Sequence, residues 1–189
     1  MKKNFFLFFL ICILVGGSYL TFNYFNTHKS LNLSKVTTTQ NAAQNPASDQ
    51  TVGALLSSYS DLSIFTNSLK QTNLDKLLTG PGPYTVFAPT NEAFSLLPPG
   101  SFNYLQQAQN TLIFKQFLEY QIAQGTITTN LMANRGHLMT LNGQEAIETV
   151  EGNNFSLLDA KGNKVLILKS NIRAKNGVLH IMSNVLLPQ

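Results

Sequence analysis

No cysteine follows Cys12, and Cys12 itself lies inside the first apolar run of the 189-residue chain. That absence excludes a disulfide framework, a thiolate zinc site and a cysteine nucleophile from everything downstream. It leaves an extracytoplasmic home open, because a domain of this size buries enough apolar surface without covalent staples. Clustered positive charge is missing too. The formal net charge is +4, but four of the thirteen basic residues (Lys2, Lys3, Lys29, Lys35) precede Thr51, and from Thr51 onward nine basic residues face eight acidic ones. A nucleic-acid footprint needs Lys and Arg gathered on the folded part, so no nucleic-acid partner is expected. Catalytic signatures are absent as well: no nucleophile elbow, phosphate loop, dinucleotide fingerprint or His-Glu-x-x-His helix occurs.

The three histidines point the same way. His28 falls in a polar stretch, and His137 has no ligand-type neighbour at metal spacing. His180 reads as a packed or hydrogen-bonded strand histidine. A catalytic role for it would require convergence with a carboxylate such as Glu119 or Glu145, which spacing does not supply. The expectation is a protein that is not an enzyme and that holds no cofactor or metal.

What is present begins with an address. Met1-Lys2-Lys3-Asn4 is a short positive n-region, and Phe5 to Val15 is an uncharged apolar run of signal-peptide length, with small residues at Gly16-Gly17. The alternative is an uncleaved anchor from Phe5 to Phe25, long enough to cross a bilayer of roughly 30 Å as a helix, with Lys2 and Lys3 on the cytoplasmic side. Either reading exports the chain to the periplasm, the cell surface or the medium. Lipoprotein processing at Cys12 is disfavoured by Ile11, where a small residue belongs. Residues 1–25 are thus a signal peptide or membrane anchor, and 26–50, polar and poor in large apolar residues, a flexible linker. Residues 51–189 are left for one domain.

That domain opens with helical patterning. Leu55, Leu56 and Tyr59 recur at helical spacing, Asp61 is placed to cap a second helix facing Ile64, Phe65 and Leu69 inward, and Leu74, Leu77 and Leu78 add a third piece. Gly80-Pro81-Gly82-Pro83 breaks the pattern before a short apolar strand, Tyr84 to Ala88. Pro89 stops it, and Thr90 is positioned as the N-cap of a new helix with Glu92 in its first turn. Ser101 is expected to cap a short helix, and Asn110 a longer one with a stripe of Leu112 or Ile113, Phe117 and Tyr120. From Gly136 the pattern becomes strand-like, with hairpin turns at Asn142-Gly143 and around Lys161-Gly162-Asn163. Lys175-Asn176-Gly177 makes a further turn, where Gly177 is free to take positive φ. A long last strand then runs to the end of the protein. Helices first and strands last predict an α+β domain.

Two segments carry a family likeness, Tyr84-Thr85-Val86-Phe87-Ala88-Pro89-Thr90-Asn91-Glu92-Ala93-Phe94 and Asn176-Gly177-Val178-Leu179-His180-Ile181-Met182-Ser183-Asn184-Val185-Leu186-Leu187-Pro188. Together they resemble the two signature blocks of the fasciclin-type domain, an extracellular adhesion and matrix module. Leu112 to Tyr120 with the following Gln121-Ile122-Ala123-Gln124-Gly125 is similar to the family's central helix and its Tyr-His segment. Met139-Thr140-Leu141-Asn142-Gly143 is similar to its Thr-Leu-x-Gly hairpin. The likeness spans roughly Thr51 to Pro188 in the family's block order, and a bacterial origin is the expectation. It implies two small antiparallel or mixed sheets packed as a wedge, with helices around the first half.

The resemblance also nominates residues, as structural or adhesive positions: Thr85, Phe87, Pro89, Thr90, Asn91, Phe94, Tyr120, Asn171, Ile172, Asn176, Gly177 and His180. Two departures qualify it. Gln121 stands where the histidine of the Tyr-His segment is expected. Asn171-Ile172 stands where some animal members carry an Asp-Ile pair used in integrin contact, so a metal-dependent integrin contact is not carried over. The implied function is a non-enzymatic binding module outside the cytoplasm, with a cell-surface or matrix protein or a polysaccharide as partner and Phe5 to Phe25 as an optional tether. The alternative is a carrier of an apolar, carotenoid-like ligand in a groove lined by phenylalanine. Asn32-Leu33-Ser34 and Asn154-Phe155-Ser156 match the glycosylation sequon, which matters only in a eukaryotic secretory pathway.

Overall fold

A computed structural model of the chain describes residues 48–189. The expected N-terminal leader, its Cys12, His28 and the linker as far as residue 47 lie outside the described residues. Among those described, no helix is long and apolar enough to cross a membrane.

The first part is helical: α1 (Val52–Leu56), α2 (Ser63–Gln71) and α3 (Leu74–Leu78) precede strand β1 (Tyr84–Pro89), and α4 (Asn91–Ser95), α5 (Ser101–Leu105) and α6 (Thr111–Glu119) follow it. A short strand β2 (Ile122–Gln124) and helix α7 (Thr129–Arg135) lead into β3 (His137–Met139), β4 (Glu145–Glu151), β5 (Asn154–Leu158), β6 (Lys164–Ala174) and β7 (Gly177–Met182). The α+β expectation holds. The two predicted hairpins also stand where the turn residues put them, with Met139 opposite Glu145 and Leu158 opposite Lys164.

The sheet itself differs from a wedge of two separate sheets. All seven strands form one ribbon in the order β2-β1-β7-β6-β5-β4-β3. The long strand β6 is the reason. Its first residues pair with β5, its later ones pair with β7, and the register slips between Ile167 and Lys169 and again between Lys169 and Ile172. Such bulges bend and twist a strand, so one strand serves both halves. The two end strands then meet: Ala123 bridges Thr140, and the Leu141 N–H donates to the Ile122 carbonyl at 2.7 Å. The ribbon nearly closes into a barrel, which removes most of its edge.

At the centre, β1 and β7 run parallel, from Tyr84 beside Gly177 to Pro89 beside Met182. Parallel neighbours are normally covered on both faces, and β7 is buried along its whole length. Side chains alternate between two cores. Val86, Ala88, Leu179 and Ile181 face the helices with Phe65, Leu69, Leu78, Phe114, Phe117 and Leu118. Phe87 and Met182 face the closed half with Tyr120, Met132, Leu138, Leu157, Val165 and Leu186.

Several local expectations are corrected. Asp61 does not cap α2; it sits in a 3-10 turn, Ser60–Leu62, and the cap comes from elsewhere. Gly100, not Ser101, is the N-cap of α5, and the Ser101 hydroxyl donates back to the Pro98 carbonyl. Asn110 occupies the N-cap position of α6, but its side chain donates to the Tyr104 carbonyl instead. The buried stripe of α6 is Phe114, Phe117 and Leu118, while Leu112 and Ile113 are exposed. With residues 112, 113 and 114 all apolar, helical spacing admits more than one phase, and packing of Phe114 against Phe117 and Phe102 selects this one. Finally, β7 ends at Met182, and the chain leaves the sheet at Ser183.

Candidate functional site

Of the residues that the family likeness nominates, the paired strands β1 and β7 hold Thr85, Phe87, Pro89, Gly177 and His180, while Thr90, Asn91, Phe94, Tyr120, Asn171, Ile172 and Asn176 lie on flanking elements; the polar side chains among them are spent on the protein itself. Thr85 is fully buried; its hydroxyl donates to the Gly125 carbonyl at 2.7 Å and accepts from the Ile127 N–H at 2.8 Å. This ties β1 to the loop leading to α7. Pro89 ends the strand beside Met182, and Thr90 then caps α4 as expected, its hydroxyl accepting from the Ala93 N–H at 3.2 Å. Asn91 supplies the cap that Asp61 does not. Its Oδ1 accepts from the Ile64 N–H of α2 at 2.9 Å, and its amide donates to the Ser60 carbonyl and the Ser63 hydroxyl. An orphan donor at a helix start is thereby satisfied from 27 residues away.

Asn176 does the same at the other end of the pair. It is buried, its Oδ1 accepts from the Val52 N–H at 2.7 Å, and its amide donates to the carbonyls of Leu78 and Gly80 at 2.9 and 2.6 Å. One side chain therefore caps the start of α1 and the end of α3. The turn between β6 and β7 is Lys175-Asn176, so Gly177 already belongs to the strand. Its φ of 157° is positive, as expected, and lies in a range that L side chains rarely adopt; space adds a second need for glycine. A Cβ here would overlap the Tyr84 carbonyl oxygen and stand 2.8 Å from the Tyr84 carbonyl carbon, so β1 could not lie alongside.

His180 is fully buried and its ring stacks on Phe87, with centroids 5.3 Å apart and planes inclined by 15°. Nε2 lies 2.8 Å from the Ile127 carbonyl, and Nδ1 accepts from the Asn171 N–H at 3.4 Å. These partners require the neutral tautomer with its proton on Nε2. Burial pushes the imidazole down from 6.5 to about 4, with the Ile127 carbonyl opposing only part of the effect. Neither Glu119 nor Glu145 converges on it: Glu119 pairs with Lys115 at 3.8 Å, and Glu145 contributes its backbone carbonyl to Tyr120. Among the described residues, no group of His, Cys, Asp and Glu is arranged to hold a metal ion.

Asn171 sits at the β6 bulge with φ of 57°, a left-handed conformation that asparagine tolerates better than most residues. Its Oδ1 accepts from the Thr129 N–H at 3.0 Å and its amide donates to the Thr129 hydroxyl at 2.7 Å, capping α7. Ile172 is buried. The Asn171 side chain is thus engaged with Thr129 and Ile172 is packed in the core. Tyr120 is fully buried and donates its phenolic hydrogen to the Glu145 carbonyl at 2.9 Å; burial pushes its hydroxyl from 10.0 up to about 12. Phe94 continues a chain of ring contacts through Phe102 and Phe114 to Phe117. Of those rings, Phe94, Phe114 and Phe117 are buried in the core and Phe102 packs half-buried against them.

Two residues of this framework escaped sequence reasoning. Gln121, which stands where the family's histidine is expected, is one of them. Fully buried, its amide donates to the carbonyls of Leu186 and Phe117 at 2.7 and 3.1 Å, and its Oε1 accepts from the Leu186 N–H at 3.1 Å. It binds the C-terminal segment as an extra peptide unit would. Asp159 holds the β5–β6 turn through the Lys161 and Asn163 N–H groups and also accepts from the Leu187 N–H at 3.0 Å. No local signal marks a side chain whose partners are backbone groups far along the chain.

The sequence profile of the fasciclin domain matches residues 60–188. The chain belongs to the fasciclin domain family. It is similar to human stabilin-1, 32% identical over 140 residues that make up 74% of this chain and 5% of that protein. It is also similar to protein sll1483 of Synechocystis, 33% identical over 123 residues, 64% of each chain. Immunogenic protein MPB70 of Mycobacterium bovis matches at 31% over 119 residues, 62% of this chain and 56% of that protein. This fasciclin chain therefore spans less than two thirds of each of these relatives. In three dimensions it resembles a solved FAS1 domain pair from the insect cell adhesion molecule fasciclin I, with a TM-score of 0.65 at 18% identity, over 73% of this chain and 51% of that one. That likeness fixes the fold.

Proposed function

We propose that this protein is an exported fasciclin module that binds a cell-surface or matrix protein or a polysaccharide and catalyses no reaction. The observation that carries this reading is the inward use of the signature side chains: Thr85, Asn91, Tyr120, Asn171, Asn176 and His180 all bond backbone or side-chain groups of the same chain. A catalytic centre needs polar groups aimed at a substrate. Here they hold helices and strands together, and the surface is left to do the recognition. The kinship with a fold found in a cell adhesion molecule supports the same conclusion.

Export rests on the N-terminal sequence, with residues 1–25 as signal peptide or anchor and 26–50 as a tether that lets the module reach a partner. The test is a pull-down from whole-cell and extracellular extracts with the purified protein as bait, with organic extraction of the bait read by absorbance and mass spectrometry. A saturable protein or polysaccharide partner supports the proposal. A stoichiometric apolar molecule with no macromolecular partner would replace it with the carrier reading.

A further inference from the structure

The closed half of the ribbon contains one acid that the framework above does not use. Glu148 is on β4, and its neighbours across the sheet are Leu157 of β5 and, beyond it, Val165 of β6, both buried. It therefore points inward, on the apolar face. Only 7% of the residue is exposed, and both carboxylate oxygens are shut off from solvent without a hydrogen-bond partner. Helix α7 packs across β4 at this point, and the Glu148 N–H donates to the carbonyl of Gly136, the C-cap of that helix, at 3.0 Å.

The charged and titratable groups nearest the carboxyl are Arg135 at the end of α7 and His137 at the start of β3; the residues across from it on β5 and β6, Leu157 and Val165, are apolar. Arg135 and His137 are themselves exposed, and no ion pair reaches Glu148 among the described residues. An ionised carboxylate in such a place lacks solvent and any side-chain hydrogen bond or ion pair, and a buried charge so weakly compensated is costly. Burial accordingly raises the Glu148 carboxyl above the ordinary carboxylate range, with Arg135, His137 and the Gly136 amide pulling the other way.

We propose that Glu148 is a proton-controlled latch: its neutral carboxyl keeps α7 docked on β4, and its ionisation loosens α7 together with the β3–β4 hairpin beneath. The sign follows from linkage. A folded-state value raised above the unfolded one means that the stabilisation is complete at low pH and is lost as pH rises through the folded value. Opening is local, because the other end of α7 is held separately by Asn171. Loosening α7 would lift Met132 from the inner core and rearrange the exposed Leu131, Asn134 and Arg135. The inference does not depend on what the protein binds.

The test is native-state hydrogen exchange on the full chain between pH 4.5 and 8, corrected for intrinsic exchange, comparing wild type with Glu148→Gln and Arg135→Gln. In wild type, protection across 129–137 falls at least about tenfold as pH rises, while 177–182 stays unchanged. Glu148→Gln flattens the profile, and Arg135→Gln moves the loss of protection to higher pH. If Glu148→Gln reproduces the wild-type profile, or if Arg135→Gln loosens α7 at every pH as loss of an ion pair would, the latch is wrong. Should a variant fail to fold, the side-chain ¹³C titration of Glu148 in wild type decides: a midpoint at or below that of an ordinary glutamate overturns the proposal.

Discussion

Acid should destabilise this fold through His180 more than through any surface group. The imidazole is depressed from 6.5 to about 4 because it is fully buried. Protonation would also oblige Nδ1 to donate where the Asn171 N–H already points at it. A folded-state value below the unfolded one means the contribution is complete above about pH 6.5 and is lost as pH falls toward 4. At ~1.4 kcal/mol per unit the loss is roughly 3 kcal/mol, a large share of the ~5–15 kcal/mol that a domain has. Glu148 acts with the opposite sign in the neighbouring range, so the measurement belongs in a Glu148→Gln background. Urea unfolding at half-unit steps from pH 7 to 4 should show stability falling by about 3 kcal/mol. His180→Phe keeps a ring against Phe87 but strands the Asn171 N–H and the Ile127 carbonyl, at about 1–3 kcal/mol each. It should be less stable at pH 7 and lose little more on acidification. Equal acid slopes for the two proteins would refute the reasoning.

Gly177→Ala should cost at least about 3 kcal/mol, read as the urea midpoint, because the clash is with the Tyr84 backbone and no side chain can swing aside. Tyr120→Phe should cost about 1 kcal/mol for the bond to the Glu145 carbonyl. In wild type, stability should be complete below about pH 10 and lost as the phenol, raised to about 12, ionises, which ultraviolet difference titration follows. Gln121→Ala should cost about 2 kcal/mol or more and free the segment after Met182, so limited proteolysis should cut within 183–189 while the rest of the domain survives.

The strand half was legible because its signals are local. Asn142-Gly143 and Lys161-Gly162-Asn163 mark their own turns, and alternating side chains mark the strands beside them. Thr90 was legible for the same reason, its partner Ala93 being three residues away. What stayed hidden depends on distant partners. Nothing near Tyr84 announces that it will lie parallel to Gly177, and nothing in Asn91, Asn171 or Asn176 tells which helix each will cap. Helix α7 and strand β2 are short, and the cap of α7 comes from Asn171, 42 residues away, so neither stood out. The family likeness nominated residues without saying what they do. In this chain they are the joints of the fold.

Asn171 tests that claim most directly, because it stands where a contact residue of animal relatives is expected, yet both ends of its amide are engaged with Thr129. We would measure the stability of Asn171→Ala and its saturable binding to whole cells in the same preparation. The account predicts a loss of about 1–2 kcal/mol from the lost cap, with binding per folded molecule unchanged. Wild-type stability with binding abolished would contradict it and make Asn171 a residue of the contact surface.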